Sequence, residues 1–308
     1  MKPVLVTCLG LVLATSVVIA QTPIFKSGVD LVNIGVTVVD RKGGLVTTLT
    51  ADDFEILEDG KRQTLVAFAR GDQEASAPEL HLGLMFDTSG SMEDDLKLSR
   101  SAAIKFLNTL TDARDVTLVD FATEVRVAKY GQADYARLIE RIRDRKADGM
   151  TALYDALGVY LDGAATDDGR SILVLYTDGG DTRSAIGFGD LMTLVKASTT
   201  TIYAVGFLEH QSSSYKMDQR MKLEQITSAT GGQAYFPTEM KDVEAAYERI
   251  VAQVRGQYSL AFVSTNAKPD GTWRKVEIRL KPRPDLMDVK LLVRKGYFAP
   301  YKDASRKP

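Results

Sequence analysis

Cysteine is almost missing from this chain and histidine is scarce: the 308 residues contain one cysteine and two histidines. Cys8 lies inside an apolar N-terminal run, so a chain that has lost this run has no thiol and forms no disulfide. His81 and His210 are far apart in sequence, and without a thiolate they make no zinc-ligand cluster. Charge of one sign is also lacking. The formal net charge is −2 and no long Lys/Arg block occurs, which removes the electrostatic footprint of a nucleic-acid binder. After Gln21 no second long apolar run follows, so the mature chain is expected to have no membrane span.

What is present is a core-forming composition, 44% hydrophobic, in a length that allows two domains of roughly 100 to 200 residues each. The N-terminus reads MKPVLVTCLGLVLATSVVIAQ. Lys2 supplies a short basic region, Val4 to Ile19 an apolar stretch, and Val18 and Ala20 the small residues before a cleavage point. Residues 1–20 are therefore expected to be a secretory signal peptide cut near Ala20, too short for a span of about 20 residues. The mature protein is then secreted, either periplasmic or at the cell exterior, and its fold must rest on core burial, metal or partner contacts.

Periodicity divides the rest. Over 24–72 the pattern has period two: Val32, Ile34, Val36 and Val38 lead to a DRKGG turn, and FEILEDGKRQTLVAF reads as a hairpin about Asp59-Gly60. Between them, Thr50 is placed to cap a single helical turn with Asp53. The polar segment GDQEASAPEL, with a linker at 73–79, leads into 80–256, where strands alternate with helices. LHLGLMFD, VTLVDFA, EVRVAKY, SILVLYTD, TIYAVGF and QAYF are the strand candidates. TALYDALGVYLDGAA and KDVEAAYERIVAQVR are helical, the latter with Val243, Tyr247, Ile250, Val251 and Val254 on one face. Near-continuous apolar strands predict an α/β fold with a doubly wound, mostly parallel sheet covered on both sides. Over 257–300 period two returns, in QYSLAFV, in the run with Val276, Ile278 and Leu280, and in DVKLLVRKGYF, with a tail at 301–308. Each terminal β segment is too small to stand alone, so the two are expected to pair into one β-sandwich-like domain into which the α/β domain is inserted.

The most informative residues are FDTSGSM, 86–92. Asp87, Ser89 and Ser91 put a carboxylate and two hydroxyls at i, i+2 and i+4 after a buried strand, and Gly90 permits a sharp turn. Oxygen-only donors favour magnesium, calcium or manganese. Alternatively, these residues only cap the helix expected in MEDDLKLSRSAAIKFLNTL, and on this segment alone the two readings stand level. Two further segments bear on the choice. Asp178 ends another strand in SILVLYTDGGD, and Thr151 follows Gly149 at the start of a helix in DGMTALYDAL. In an open parallel sheet, ligands bind at the carboxyl ends of the strands, and that rim is where Asp87 and Asp178 are predicted.

Asp-x-Ser-x-Ser at 87–91, Thr151, and Asp178 within Thr177-Asp178-Gly179 together resemble the metal-ion-dependent adhesion site (MIDAS) of the von Willebrand factor type A (VWA) family. The resemblance covers roughly Glu79 to Gly256. The flanks, VTVVDRKGGLVTTLTADDFEILEDGKRQ and QYSLAFVSTNAKPDGTWRKVEIRL with VRKGYFAP, look like the secreted bacterial VWFA-related family abundant in acidobacteria. It implies a Rossmann-like fold and a magnesium or manganese ion held by Ser89, Ser91 and Thr151, with Asp87 and Asp178 acting directly or through water. One open coordination position would then take a carboxylate from a partner protein.

Catalysis is the main rival. A nucleophile at Ser89 or Ser91 needs a base within reach, and the candidates are His81, in mid-strand, and His210, in a polar loop. Metal-dependent hydrolysis would need a separate Glu or His base, and none stands out. A third reading is a structural module with a vestigial metal site. DGGD at 178–181 and TDDGR at 166–170 lack the spacing of a calcium loop. Asp181 is read as exposed in preference to supporting the site, and LEHQSSSYKMDQ, with Tyr215, as a rim loop that sets specificity. The expected protein is a non-enzymatic, exported, metal-dependent protein-binding module.

Overall fold

The computed structural model describes residues 31–70, 78–165, 169–209, 211–286 and 288–301. The expected signal peptide, the linker residues 73–77, Thr166 to Asp168, His210 and the tail from Lys302 lie outside the described residues. The strands are β1 (Leu31–Val39), β2 (Phe54–Glu58), β3 (Lys61–Gln63), β4 (Leu65–Arg70), β5 (Leu80–Asp87), β6 (Asp115–Phe121), β7 (Val125–Gly131), β8 (Arg170–Thr177), β9 (Thr201–Gly206), β10 (Ala234–Tyr235), β11 (Tyr258–Val263), β12 (Trp273–Leu280), β13 (Lys290–Val293) and β14 (Gly296–Phe298). The helices are α1 (Leu96–Thr109), α2 (Tyr135–Asp144), α3 (Leu153–Ala164), α4 (Phe188–Ala197), α5 (Ser213–Ala229) and α6 (Met240–Gly256).

β5 is buried along its whole length, as a central strand covered on both faces must be. It runs parallel to β6 on one side and β8 on the other, in a six-stranded sheet ordered β10-β9-β8-β5-β6-β7. Only β7 is antiparallel, at an edge protected by the charges of Arg126 and Lys129. Side chains alternate between two cores. Leu82, Leu84, Phe86, Val174 and Tyr176 face α1, α2 and α6, whereas Met85, Leu173 and Leu175 face α3, α4 and α5. Gly83 falls on the second face, where a Cβ would lie 2.4 Å from the Tyr160 ring, so α3 sits directly on the strand at that point. Each fully buried Leu or Val contributes about 1.5–3 kcal/mol, and no covalent staple supplements these cores. Among the described residues no helix is long and apolar enough to cross a membrane.

The two chain ends pair with each other. β1 lies antiparallel to β11, with Ile34 opposite Leu260, and β2 lies antiparallel to β12, with Ile56 opposite Ile278. Two four-stranded sheets result, β13-β1-β11-β4 and β14-β12-β2-β3, packed over Ile34, Val36, Ile56, Leu260 and Phe262. The α/β unit is inserted between these segments, and a single residue, Gln257, separates α6 from β11. The Asp59-Gly60 turn has positive φ at both residues (47° and 79°), the two-residue hairpin geometry its sequence predicts. At the predicted single turn, the Asp53 carboxylate accepts both the N–H (2.8 Å) and the hydroxyl (3.1 Å) of Thr50.

Three expectations need correction. DVKLLVRKGYF is two strands: β13 belongs to one sheet and β14 to the other, and the chain changes sheets at Arg294-Lys295. Gly296 permits that step, since a Cβ there would meet the Arg274 carbonyl at 2.3 Å. LEHQSSSYKMDQ is only partly a loop, because α5 begins at Ser213 and carries Tyr215 in its first turn. Finally, α3 begins at Leu153, so Thr151 precedes the helix instead of opening it.

Candidate metal centre

Asp87 ends β5 and Thr177 ends the neighbouring β8, and the parallel register that pairs Phe86 with Tyr176 sets the two side by side. The Thr177 hydroxyl donates to Asp87 Oδ2 at 2.6 Å, and the Ser89 N–H donates to Oδ1 at 3.0 Å. This fixes the Asp87 carboxylate at the carboxyl rim of the sheet, fully buried. The turn beyond it is a short 3-10 segment, Gly90–Met92, and α1 starts only at Leu96. No side-chain capping bond is made at Ser89 or by the residue preceding α1. Helix capping therefore does not account for the hydroxyls of Ser89 and Ser91. The two face each other, Oγ to Oγ 3.1 Å, with Ser89 buried and Ser91 exposed.

The segment carrying Thr151 is laced to the same turn. Asp148 N–H donates to the Thr88 carbonyl (2.9 Å) and Gly90 N–H to that of Gly149 (3.0 Å). Gly149 has φ +81°, and a Cβ there would lie 2.5 Å from Thr123 Oγ1, so both conformation and space call for glycine. Thr151 donates its N–H to Thr182 Oγ1 at 3.0 Å, and its carbonyl accepts the N–H groups of Thr182 (2.9 Å) and Arg183 (3.0 Å). Among the described residues, no hydrogen bond engages the Thr151 hydroxyl, which belongs to a residue only 4% exposed.

Asp178 follows β8, and its Oδ1 accepts the Gly180 N–H at 3.2 Å while Oδ2 accepts Gln211 Nε2–H at 3.0 Å. Burial, reinforced by the nearby charge of Asp178, pushes the Asp87 carboxyl up to about 7 despite the opposing bonds from Ser89 and Thr177. No cationic side chain is among the largest influences on Asp87. Two carboxylates thus repel one another beside the hydroxyls of Ser89, Ser91 and Thr151, an arrangement that a cation would relieve. Among the described residues no cluster of three or more His, Cys, Asp or Glu side chains exists. An ion here would depend on hydroxyl as well as carboxylate oxygens, a donor set that fits a hard divalent cation and not zinc or copper.

Sequence reasoning missed several supports. Thr177 orients Asp87, and Gln211, inside the supposed specificity loop, orients Asp178. Asp181 is no idle exposed carboxylate: its Oδ2 accepts the Tyr154 N–H at 2.9 Å and the Ser184 hydroxyl at 2.6 Å, so it caps α3 beside Thr151. Tyr215 is half-buried against Gly180, where a Cβ would come within 2.3 Å of its hydroxyl, and burial and Asp178 raise its pKa. His81 stands at the far end of β5, its Nδ1 within 3.0 Å of an Asp115 carboxylate oxygen. Six strand residues, roughly 20 Å, separate it from Asp87, too far for it to serve as base to Ser89 or Ser91.

A family model for the von Willebrand factor type A domain matches residues 82–180. No curated protein sequence matches the chain. Among solved structures, a protein described as von Willebrand factor type A from Catenulispora acidiphila is 13% identical, with a TM-score of 0.50, over 91% of this chain and 76% of that one. The vWF domain of the type V pili tip protein Mfa5 from Porphyromonas gingivalis is 11% identical, with a TM-score of 0.49, over 58% and 95%. The pilus adhesin SpaC from Lactobacillus rhamnosus GG is 12% identical, with a TM-score of 0.48, over 87% and 52%. The family match begins within β5, ends just past β8 and takes in all five candidate ligands, so it is residues 82–180 of the inserted α/β unit that match the von Willebrand factor type A domain.

Proposed function

We propose that the domain binds a divalent cation, magnesium or manganese, and uses it to hold an acidic side chain of a partner protein. Ser89, Ser91 and Thr151 would supply hydroxyl ligands, with Asp87 and Asp178 acting directly or through water. The ion's chemistry would be that of a Lewis acid keeping a coordination position for an outside oxygen. The chain's own part is positional. Thr177 and the Ser89 N–H hold the Asp87 carboxylate, the Asp148-Thr88 and Gly90-Gly149 bonds hold the Thr151 segment, and Gln211 holds Asp178.

The observation that carries the reading is the buried Asp87 carboxylate, its pKa raised by burial and by the nearby charge of Asp178, gathered with the Ser89 and Ser91 hydroxyls at one rim. Adhesion is favoured over hydrolysis because His81, a candidate base, lies at the opposite end of the strand. Export to the periplasm or cell surface accords with the apolar, Lys2-led N-terminus. Titrating magnesium or manganese should raise the thermal unfolding midpoint, since a ligand that binds only the folded state stabilises it by about 2.7 kcal/mol at a hundred times its Kd. Asp87→Ala should abolish the shift, and chelator should release a partner captured from the native envelope. An unshifted midpoint with both metals would remove the reading.

A further inference from the structure

The step from β13 to β14 carries a guanidinium that the metal centre does not involve. Arg294 is 7% exposed. Its Nε–H donates to the Gly296 carbonyl at 2.9 Å and an Nη2–H to the Lys196 carbonyl at 3.0 Å. Lys196 lies in the last turn of α4, so the second bond satisfies an otherwise orphaned helix carbonyl and sets the cation at the negative end of the helix dipole. These bonds use two of the five N–H groups of an arginine. Among the described residues no carboxylate is bonded to it, and burial lowers its pKa to about 10, leaving it charged at neutral pH.

Arg294 lines a cavity of about 460 Å³, in the range of small-molecule sites. The cavity opens between the sandwich and the turn after α4, at the end of the sheet where β9 begins, opposite the metal rim. Leu31, Val263 and Phe298 form its apolar wall, each more than a third exposed (36%, 37% and 38%). Lys268 adds a second positive charge, and among the described residues no Asp or Glu lines the cavity. The Tyr297 hydroxyl is already engaged, donating to Glu58 Oε2 at 2.9 Å. A desolvated guanidinium with free donors is unfavourable by itself and is complementary to a planar carboxylate, which can receive its N–H groups as a fork.

We propose that this cavity binds a small amphipathic monocarboxylate, its charge on Arg294 and its aliphatic or aromatic body against Leu31, Val263 and Phe298. The site is independent of the metal centre. Isothermal titration of the whole protein in chelator, with octanoate, 1-octanol and acetate as probes, separates the contributions of charge and body. Octanoate should bind one per chain, and octanol and acetate at least about ten-fold more weakly, a factor worth about 1.4 kcal/mol. Arg294→Gln should weaken octanoate by a similar factor. Because that change also touches the α4 terminus, Val263→Asp serves as the second variant: it places a like charge in the wall at an exposed position and should remove octanoate binding while leaving the unfolding midpoint intact. Octanoate binding that survives Val263→Asp, octanol binding as tight as octanoate, or no octanoate heat at millimolar concentration would each overturn the proposal.

Discussion

At the scale of single residues, Asp87 has the sharpest consequence. Its carboxyl is raised from the ordinary 3.8 to about 7 by burial first and by Asp178 second. A carboxyl raised by folding contributes stability that is fully present below about 3.8 and is lost as pH rises through about 7, because the folded state keeps a proton that the unfolded chain releases. In chelator, the stability of the wild type relative to Asp87→Asn should therefore fall as pH rises over that window, as thermal melts of the two proteins would show. In the proposed function magnesium would compete with the same proton, so its affinity should increase as pH rises through about 7. The positions of Asp87 and Asp178 at the carboxyl ends of two neighbouring strands were legible from the apolar runs that precede them. Gln211 was not legible as a support, because its bond to Asp178 depends on how the segment after β9 folds back over the rim.

At the scale of elements, the strands were the most readable. A strand buried on both faces must be a short apolar run, and β5, β8 and β9 are such runs. The helix α5 was overlooked because it is polar almost throughout, burying only Gln219, Leu223, Ile226 and Thr227. Its first turn therefore read as loop. The connection between α3 and the turn after β8 was equally hidden: Asp181 caps α3, and the Asp155 carboxylate accepts the N–H groups of Ala185 (2.9 Å) and Ile186 (3.2 Å) in return. Asp181→Ala should cost about 1 kcal/mol in urea unfolding. It should also weaken magnesium binding, because the cap holds the backbone next to Thr151.

At the scale of the whole molecule, strands from opposite ends of the chain share one core, and Tyr258 is the residue that joins them most directly. Its hydroxyl accepts the Leu49 N–H at 3.0 Å and donates to the Val46 carbonyl at 2.8 Å, entirely buried. Tyr258→Phe would leave both backbone groups unpaired and should cost about 1–3 kcal/mol in denaturant unfolding, with the α/β sheet intact. The sequence by itself determined the alternation of strands and helices and the hairpin at Asp59-Gly60, because these follow from local periodicity and turn chemistry. It also pointed to the pairing of the chain ends, since neither end could bury a core alone. Only the tertiary structure decided which strands neighbour which, that the last segment divides between two sheets, and that Arg294 is buried at that crossing beside a cavity. Those outcomes depend on packing between residues distant in sequence, and no local pattern encodes which surfaces meet.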